Sequence, residues 1–431
     1  MNGVEDKQDM RIINVWFFHH YAVLPSMNGQ IRPFNFAKLL KEFGFDATVF
    51  AASYLHHSDV NLINDGRKYL LNNEYGVPFV FVNTPSSASG LVARIKNMVT
   101  FYFSLLKHSK QYAKEHGKPD VIIASSPHPL TMIAGIRVAK KFKIPCICEV
   151  RDLWPEAIFA FGKLKEHSLL GRLLTAGEHW IYRNADALIF TKEGDTDYIK
   201  GHKWDTDNGG DIDLTKCHYI NNGVNIEAFL KNIADNPIKD TDLLDNKFHV
   251  VYIGSIRPVN DVNMLLDAAV LLKEHSDIQF LIYGDGNQKE TLEQRVFDEG
   301  LSNVKMKGYV DRRFIPYILS KSSVNILNYS QSKYNWARGN SSNKLFEYMA
   351  SGKPIISTIK MGYCILEKYQ CGLSLEASTP EELARMILKV HDMPRGQYEE
   401  MGRNAQTGAA NFDYKALTAK LIAVIESASG K

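Results

Sequence analysis

The strongest constraint on what this chain can fold into is its repeated alternation of short apolar runs with amphipathic helical patterns. Residues 11–18 (RIINVWFF) read as a strand, 31–43 as a helix and 47–51 as a second strand. Such a start builds a parallel sheet, because parallel neighbours need a crossover and the helix supplies it. The pattern continues with a strand over 121–125, a helix over 130–141 and a strand over 145–150. A helix over 178–183 leads to a strand over 188–191. Residues 230–246 are polar, with Pro237 among many aspartates and asparagines, and read as a linker. A second series follows, with strands over 248–254 and 278–283 around a helix over 262–274, a helix from about Gln288, and a strand and turn over 304–310. At 431 residues the chain is too long for one ordinary core and long enough for two α/β domains.

The loops after the carboxyl ends of these strands are where parallel sheets bind ligands. The first holds His19, His20 and Gly29, and Arg32 lies at the start of the helix that follows. Another holds Asp152 and Glu156, which suit a polar ligand or the hydrogen bonding of the loop itself. Gly284-Asp285-Gly286 lacks the third glycine of a dinucleotide fingerprint, Lys289 standing in its place, which argues against a nicotinamide cofactor.

Residues 340–354 (NSSNKLFEYMASGKP) carry the most chemistry. Ser341, Ser342 and Asn343 are N-cap types ahead of an apolar stripe of Leu345, Phe346, Met349 and Ala350. Gly352 and Pro354 stop the helix. A helix N-terminus with free N–H groups attracts anions. Lys344 sits in the first turn, where the macrodipole disfavours a cation unless a phosphate binds there. Glu347, one turn later, reaches hydroxyls beside that phosphate.

The net charge of +3 gives no general argument for nucleic acid. Five cysteines without a C-x-x-C spacing indicate neither a zinc site nor a disulfide framework, which fits a reducing compartment. Residues 205–213 look like a calcium loop, but Lys216 stands where the bidentate glutamate belongs, so an acidic surface loop is expected and no metal site. The polar residues 1–10 read as disordered and not as a signal peptide. No apolar run reaches the ~20 residues that cross a bilayer. A cytoplasmic protein, at most peripheral on the membrane, is expected. Residues 91–110 form a long helix, aromatic in the middle and basic at both ends. It is read either as packed with solvated ends or as interfacial, with Phe101, Tyr102 and Phe103 near lipid.

The 347–356 segment (EYMASGKPII) resembles the donor-binding segment of family-4 glycosyltransferases. Residues 151–156 (RDLWPE) resemble bacterial members that build O-antigen and capsule sugars on lipid carriers. The resemblance implies a retaining enzyme of the GT-B fold: α/β, with two Rossmann-like domains facing across a cleft. It divides the chain into an acceptor domain (11–229), the linker (230–246) and a donor domain (247–411), with a final helix (412–427) crossing back. It implies Arg257, Lys344 and Glu347 as the catalytic set, and a donor site from Gly29, Gly254, Gly284, Ser341, Ser342, Asn343 and Leu345. His20, Arg32, Asp152 and Glu156 are the acceptor-site candidates. The substrates implied are a nucleotide-sugar, with UDP the expected nucleotide, and a lipid-diphosphate-linked saccharide; no metal or other cofactor is expected. Four positions depart from the family: Arg151 stands where many relatives carry a histidine, Ser255 and Asn260 replace its basic pair, leaving Arg257 displaced, and Gly339 stands where a first glutamate belongs. A nucleotide-sugar epimerase of the same architecture and an inactive sugar- or nucleotide-binding subunit are the alternatives.

Overall fold

A computed structural model describes residues 12–430, apart from 28, 57, 89, 161 and 163. The expected disordered segment 1–10 lies outside the described residues.

The first domain is an eight-stranded sheet. Its strands are β1 (Asn14–Phe18), β2 (Asp46–Ala52), β3 (Tyr69–Asn72), β4 (Phe79–Val82), β5 (Val121–Ser125), β6 (Cys146–Val150), β7 (Ala187–Phe190) and β8 (Cys217–Tyr219), in the order β3-β4-β2-β1-β5-β6-β7-β8. All pairs are parallel except β3 with β4. Parallel strands are covered on both faces, so they read as near-continuous apolar runs. In β1, Val15 and Phe17 enter one core while Trp16 and Phe18 enter the other.

The second domain is a six-stranded parallel sheet of β9 (Phe248–Ile253), β10 (Ile278–Tyr283), β11 (Val304–Gly308), β12 (Val324–Leu327), β13 (Ile355–Ser357) and β14 (Gly372–Ser374), in the order β11-β10-β9-β12-β13-β14. Strand order reverses beside β1 in the first sheet and beside β9 in the second, and ligands bind at such reversals.

The segment read as a linker holds part of a helix (Ile226–Asp235) and a short helical turn (Thr241–Leu244), so it is not an extended spacer. The last helix (Tyr414–Ser429) returns to the first domain and packs on helix Arg32–Glu42. Tyr414 meets the ring of Phe36 edge-on at 5.6 Å, and Asp413 accepts from the backbone N–H of Ile226 at 2.9 Å. Leu417, Leu421, Val424 and Ile425 join the same apolar cluster as Met349 and Ala405, so one core runs through both domains.

The interfacial reading of the 91–110 segment is corrected in part. Phe101 and Tyr102 of helix Leu91–His116 are buried in the core, and Phe101 stacks on His20 at 4.4 Å. Phe103 is 61% exposed and shares its solvent face with Leu91, Val92, Ile95 and Val99. The 205–213 loop also departs from a purely surface reading: Asp205 is buried and accepts from Asn208 Nδ2. Among the described residues no helix is long and apolar enough to cross a membrane, and no cluster of His, Cys, Asp and Glu is placed to hold a metal ion.

Candidate functional site

The site forms where the carboxyl ends of β9 and β12 meet the loops of the first domain. After β12 the chain runs through residues 328–342 into helix Asn343–Ala350. Ser342 is the N-cap residue, but no side chain caps the first turn, because the Ser342 hydroxyl pairs with Tyr329 OH at 2.5 Å. Among the described residues the N–H groups of Asn343 and Lys344 are left for an outside acceptor, while Leu345 N donates to Ser342 O at 3.2 Å. The Leu345 side chain is fully buried and packs in the core beneath the helix.

Lys344 Nζ lies 4.8 Å from the ring centre of Tyr252 and 4.6 Å from that of Tyr329, with Tyr252 OH at 3.4 Å. Among the described residues no carboxylate pairs with it. Burial pushes its pKa down to about 7, since the ammonium has lost water without gaining a counter-ion. Gly254, directly after β9, makes room: a Cβ there would stand 2.7 Å from Nζ. Gly284, after β10, has φ +147°, and a Cβ on it would fall 1.8 Å from Gly254 O. The two glycines thus let two strand-end loops touch, which places the Gly254 backbone under the lysine.

Glu347 follows one turn on; burial raises its pKa, and Arg312 Nη2 lies 3.5 Å from Oε1. Arg312 comes from the loop after β11 and carried no recognisable motif in the sequence. Arg257 is exposed at the start of the turn Pro258–Asn260, without an ion pair among the described residues. Gly29 lies against Val23, where a Cβ would come within 3.0 Å of a methyl.

A cavity of about 230 Å³ opens between the domains, lined by Asp152 and Lys192 on one side and by Tyr334, Asn340, Ser341 and Ser342 on the other. Tyr334 OH donates to Asp152 Oδ1 at 2.9 Å and accepts from Lys192 Nζ at 2.8 Å. Gly339 lines it too, with φ +104°. Glu156 is committed to an ion pair with Arg338 and to Asn335 Nδ2 at 3.2 Å, so it ties the domains together. Of the acceptor-site candidates, Asp152 therefore faces the cavity and Glu156 is spent on a domain contact.

The other two candidates are corrected by burial. His20 is 1% exposed, paired with Asn97 Oδ1 at 2.6 Å and with His128 Nε2, and burial holds it neutral. Arg32 is 3% exposed; it donates to Glu149 Oε1 at 2.9 Å and to the carbonyls of Ile220 and Asn221. Neither side chain has a group left for an acceptor. Reading by motif missed Glu149, Lys192 and Tyr334, whose partners lie far along the chain. The Asn222-Gly223 turn was visible, and its glycine is required because a Cβ would meet Phe412 O at 2.2 Å.

Two parallel α/β domains joined by a crossing C-terminal helix, with an anion-ready helix start at the cleft, define the GT-B architecture. Residues 31–208 match the family described as "Glycosyl transferase 4-like domain", and residues 247–392 match "Glycosyl transferases group 1". Together they span well over half of the chain, which belongs to the glycosyltransferases of this fold. The chain is 28% identical over 262 residues, 60% of its length, to a protein of Bacillus subtilis (strain 168) described as the teichuronic acid biosynthesis glycosyltransferase TuaH. It spans 62% of that relative's length. Among solved structures it is similar to sucrose-phosphate synthase from Thermosynechococcus elongatus, with 16% identity, TM-score 0.69, and coverage of 96% of this chain and 98% of that one. It is also similar to HepE of Anabaena in complex with UDP, with 15% identity, TM-score 0.66, and coverage of 96% and 100%.

Proposed function

We propose that the protein is a retaining glycosyltransferase that moves a sugar from a UDP-sugar to a lipid-linked or polysaccharide-precursor acceptor in surface polysaccharide biosynthesis. The observation that carries this reading is the half-buried Lys344 ammonium, with no carboxylate partner among the described residues, beside an uncapped helix N-terminus. A diphosphate supplies both missing partners at once. HepE, similar in fold, was solved with UDP, and TuaH is named for teichuronic acid biosynthesis.

When the bond from the anomeric carbon to the diphosphate breaks, negative charge grows on the leaving phosphate oxygen. Lys344 and the N–H groups of the first helical turn are placed for that charge, and Arg257 adds a further cation from the neighbouring loop. This proposal assigns no role to a metal. The acceptor hydroxyl forms the new bond on the face the diphosphate leaves, and its proton passes to the departing phosphate oxygen. The acceptor enters from the side of Asp152.

A lipid-linked acceptor calls for a membrane-facing surface on the first domain, on the cytoplasmic side. Helices that join parallel strands run antiparallel to them, so their N-terminal ends lie on the rim that carries the site loops. At that rim Leu91, Val92 and Ile95 are exposed on one helix, and Leu169, Leu170 and Leu173 on helix Leu169–Asn184. Arg94, Lys96 and Arg172 stand among them and suit anionic headgroups.

Thermal shifts with UDP, GDP, ADP and UDP-sugars in the presence of a chelator test the donor. A shift with UDP and UDP-sugars is expected, and no shift with any nucleotide would overturn the proposal. Lys344→Ala should lower kcat about 100-fold or more, the scale for removing one such group from a developing oxyanion; near-wild-type turnover would refute its role.

A further inference from the structure

Residues 220–222, which follow β8, have no part in the chemistry above. Their turn is clamped from beneath. Arg32 donates Nη2 to Ile220 O at 2.9 Å and Nη1 to Asn221 O at 2.5 Å, while its Nε binds Glu149, which also accepts from Ser125 Oγ at 2.7 Å. Asn222 Oδ1 accepts from Arg151 Nη2 at 3.3 Å. Both asparagines are almost fully buried, at 1% and 5% exposure.

Held this way, the two side chains reach across the cleft. Asn221 Nδ2 donates to Asn340 O at 3.0 Å, and Asn222 Nδ2 donates to Ser341 O. These carbonyls belong to the last peptides before helix Asn343–Ala350. In a trans peptide the N–H points away from the C=O, so anchoring the carbonyls on the first domain turns the N–H groups of Ser341 and Ser342 to the other side, where that of Ser342 meets the Asn340 side chain. Asn340 is fixed in addition by its Oδ1, which accepts from Ser342 N at 2.7 Å. Among the described residues its Nδ2 is left without a hydrogen-bond partner, although Asn340 is 3% exposed and lines the cavity.

We propose that Asn221 and Asn222 are positioning residues of the transfer reaction. They hold the Asn340–Ser341 backbone from the acceptor domain, so that the donor-side helix start and the free Asn340 amide face the cavity only when the domains are together. The donor subsite is thereby completed across the cleft. Neither asparagine touches the sugar; Asn340 Nδ2 is the group that meets an oxygen of the donor, at the place left open by Gly339. This inference rests on the glycosyltransferase reading.

The test uses the full chain with Asn221→Ala, Asn222→Ala and the milder Asn222→Ser, whose side chain is too short to reach Ser341. UDP affinity of the unaltered protein is measured first; its absence would count against the glycosyltransferase reading. Amide hydrogen exchange over residues 341–345 probes the clamp without any ligand or turnover. We expect faster exchange there, an unchanged Tm, and kcat lower by about tenfold, the size of one lost hydrogen bond, with a smaller rise in UDP Kd. Unchanged exchange with kcat within twofold would overturn the proposal. So would a parallel fall in UDP affinity, kcat and Tm, which marks a merely structural role.

Discussion

At the scale of single residues, the charge state of Lys344 links structure to function. Its folded pKa of about 7 lies far below the ordinary lysine value because burial between two tyrosines penalises the ammonium. A bound diphosphate favours the ammonium and raises that pKa. Binding therefore takes up a proton near and above pH 7, and UDP affinity should be greatest below about pH 7 and fall as pH rises. Calorimetry at pH 8 in buffers of different ionisation enthalpy should register the uptake, and Lys344→Met should abolish it. A pH-independent affinity in the unaltered protein would contradict the assignment. The place of Lys344 and Glu347 in the first turns of a helix was legible in the sequence because capping and stop signals are local to a few residues. His20, in the loop after β1, and Arg32, at the helix start beyond it, proved to be buried and paired, with groups contributed from Asn97, His128, Glu149 and residues 220–221. No local pattern announces such partners.

At the scale of elements, helix Leu91–His116 shows how far periodicity carries. The helix itself was plain, but three consecutive aromatics at 101–103 cannot share one face at 100° per residue. The structure sends Phe101 and Tyr102 inward and leaves Phe103 outside. Two opposite outcomes follow. Phe101→Ala should cost about 3–5 kcal/mol of stability, as for a large buried aromatic, and lower the urea midpoint. A double Val92→Glu, Phe103→Glu variant should keep its Tm and its nucleotide affinity while losing co-sedimentation with phosphatidylglycerol vesicles. Retained co-sedimentation would remove this helix from the membrane account. The 230–246 segment is a contrasting case: its polar composition suggested a spacer, yet helix Ile226–Asp235 enters it with Asn225 as cap, accepting from Ala228 N at 2.8 Å.

At the scale of the whole molecule, the crossing helix Tyr414–Ser429 makes the two domains interdependent. Its apolar face of Leu417, Leu421, Val424 and Ile425 belongs to a core shared with Phe36, Leu40 and Phe412. Removing residues 414–431 should expose that core and yield insoluble protein or one with a sharply lowered Tm, read by scanning fluorimetry; a truncated chain with unchanged Tm would show that the helix is dispensable. The alternation of apolar strands with amphipathic helices determined by itself that the chain forms two parallel α/β units, and the 340–354 stretch determined that one helix start invites an anion. Both are written in residues a few positions apart. Only the tertiary structure decided which charges are free and which are spent: Lys344 without a counter-ion, Glu156 bound to Arg338, Arg32 bound to Glu149. It also decided that Asn222 meets Ser341, 119 positions away. Burial and pairing depend on groups that folding brings together from distant parts of the chain, and no local window of sequence contains them.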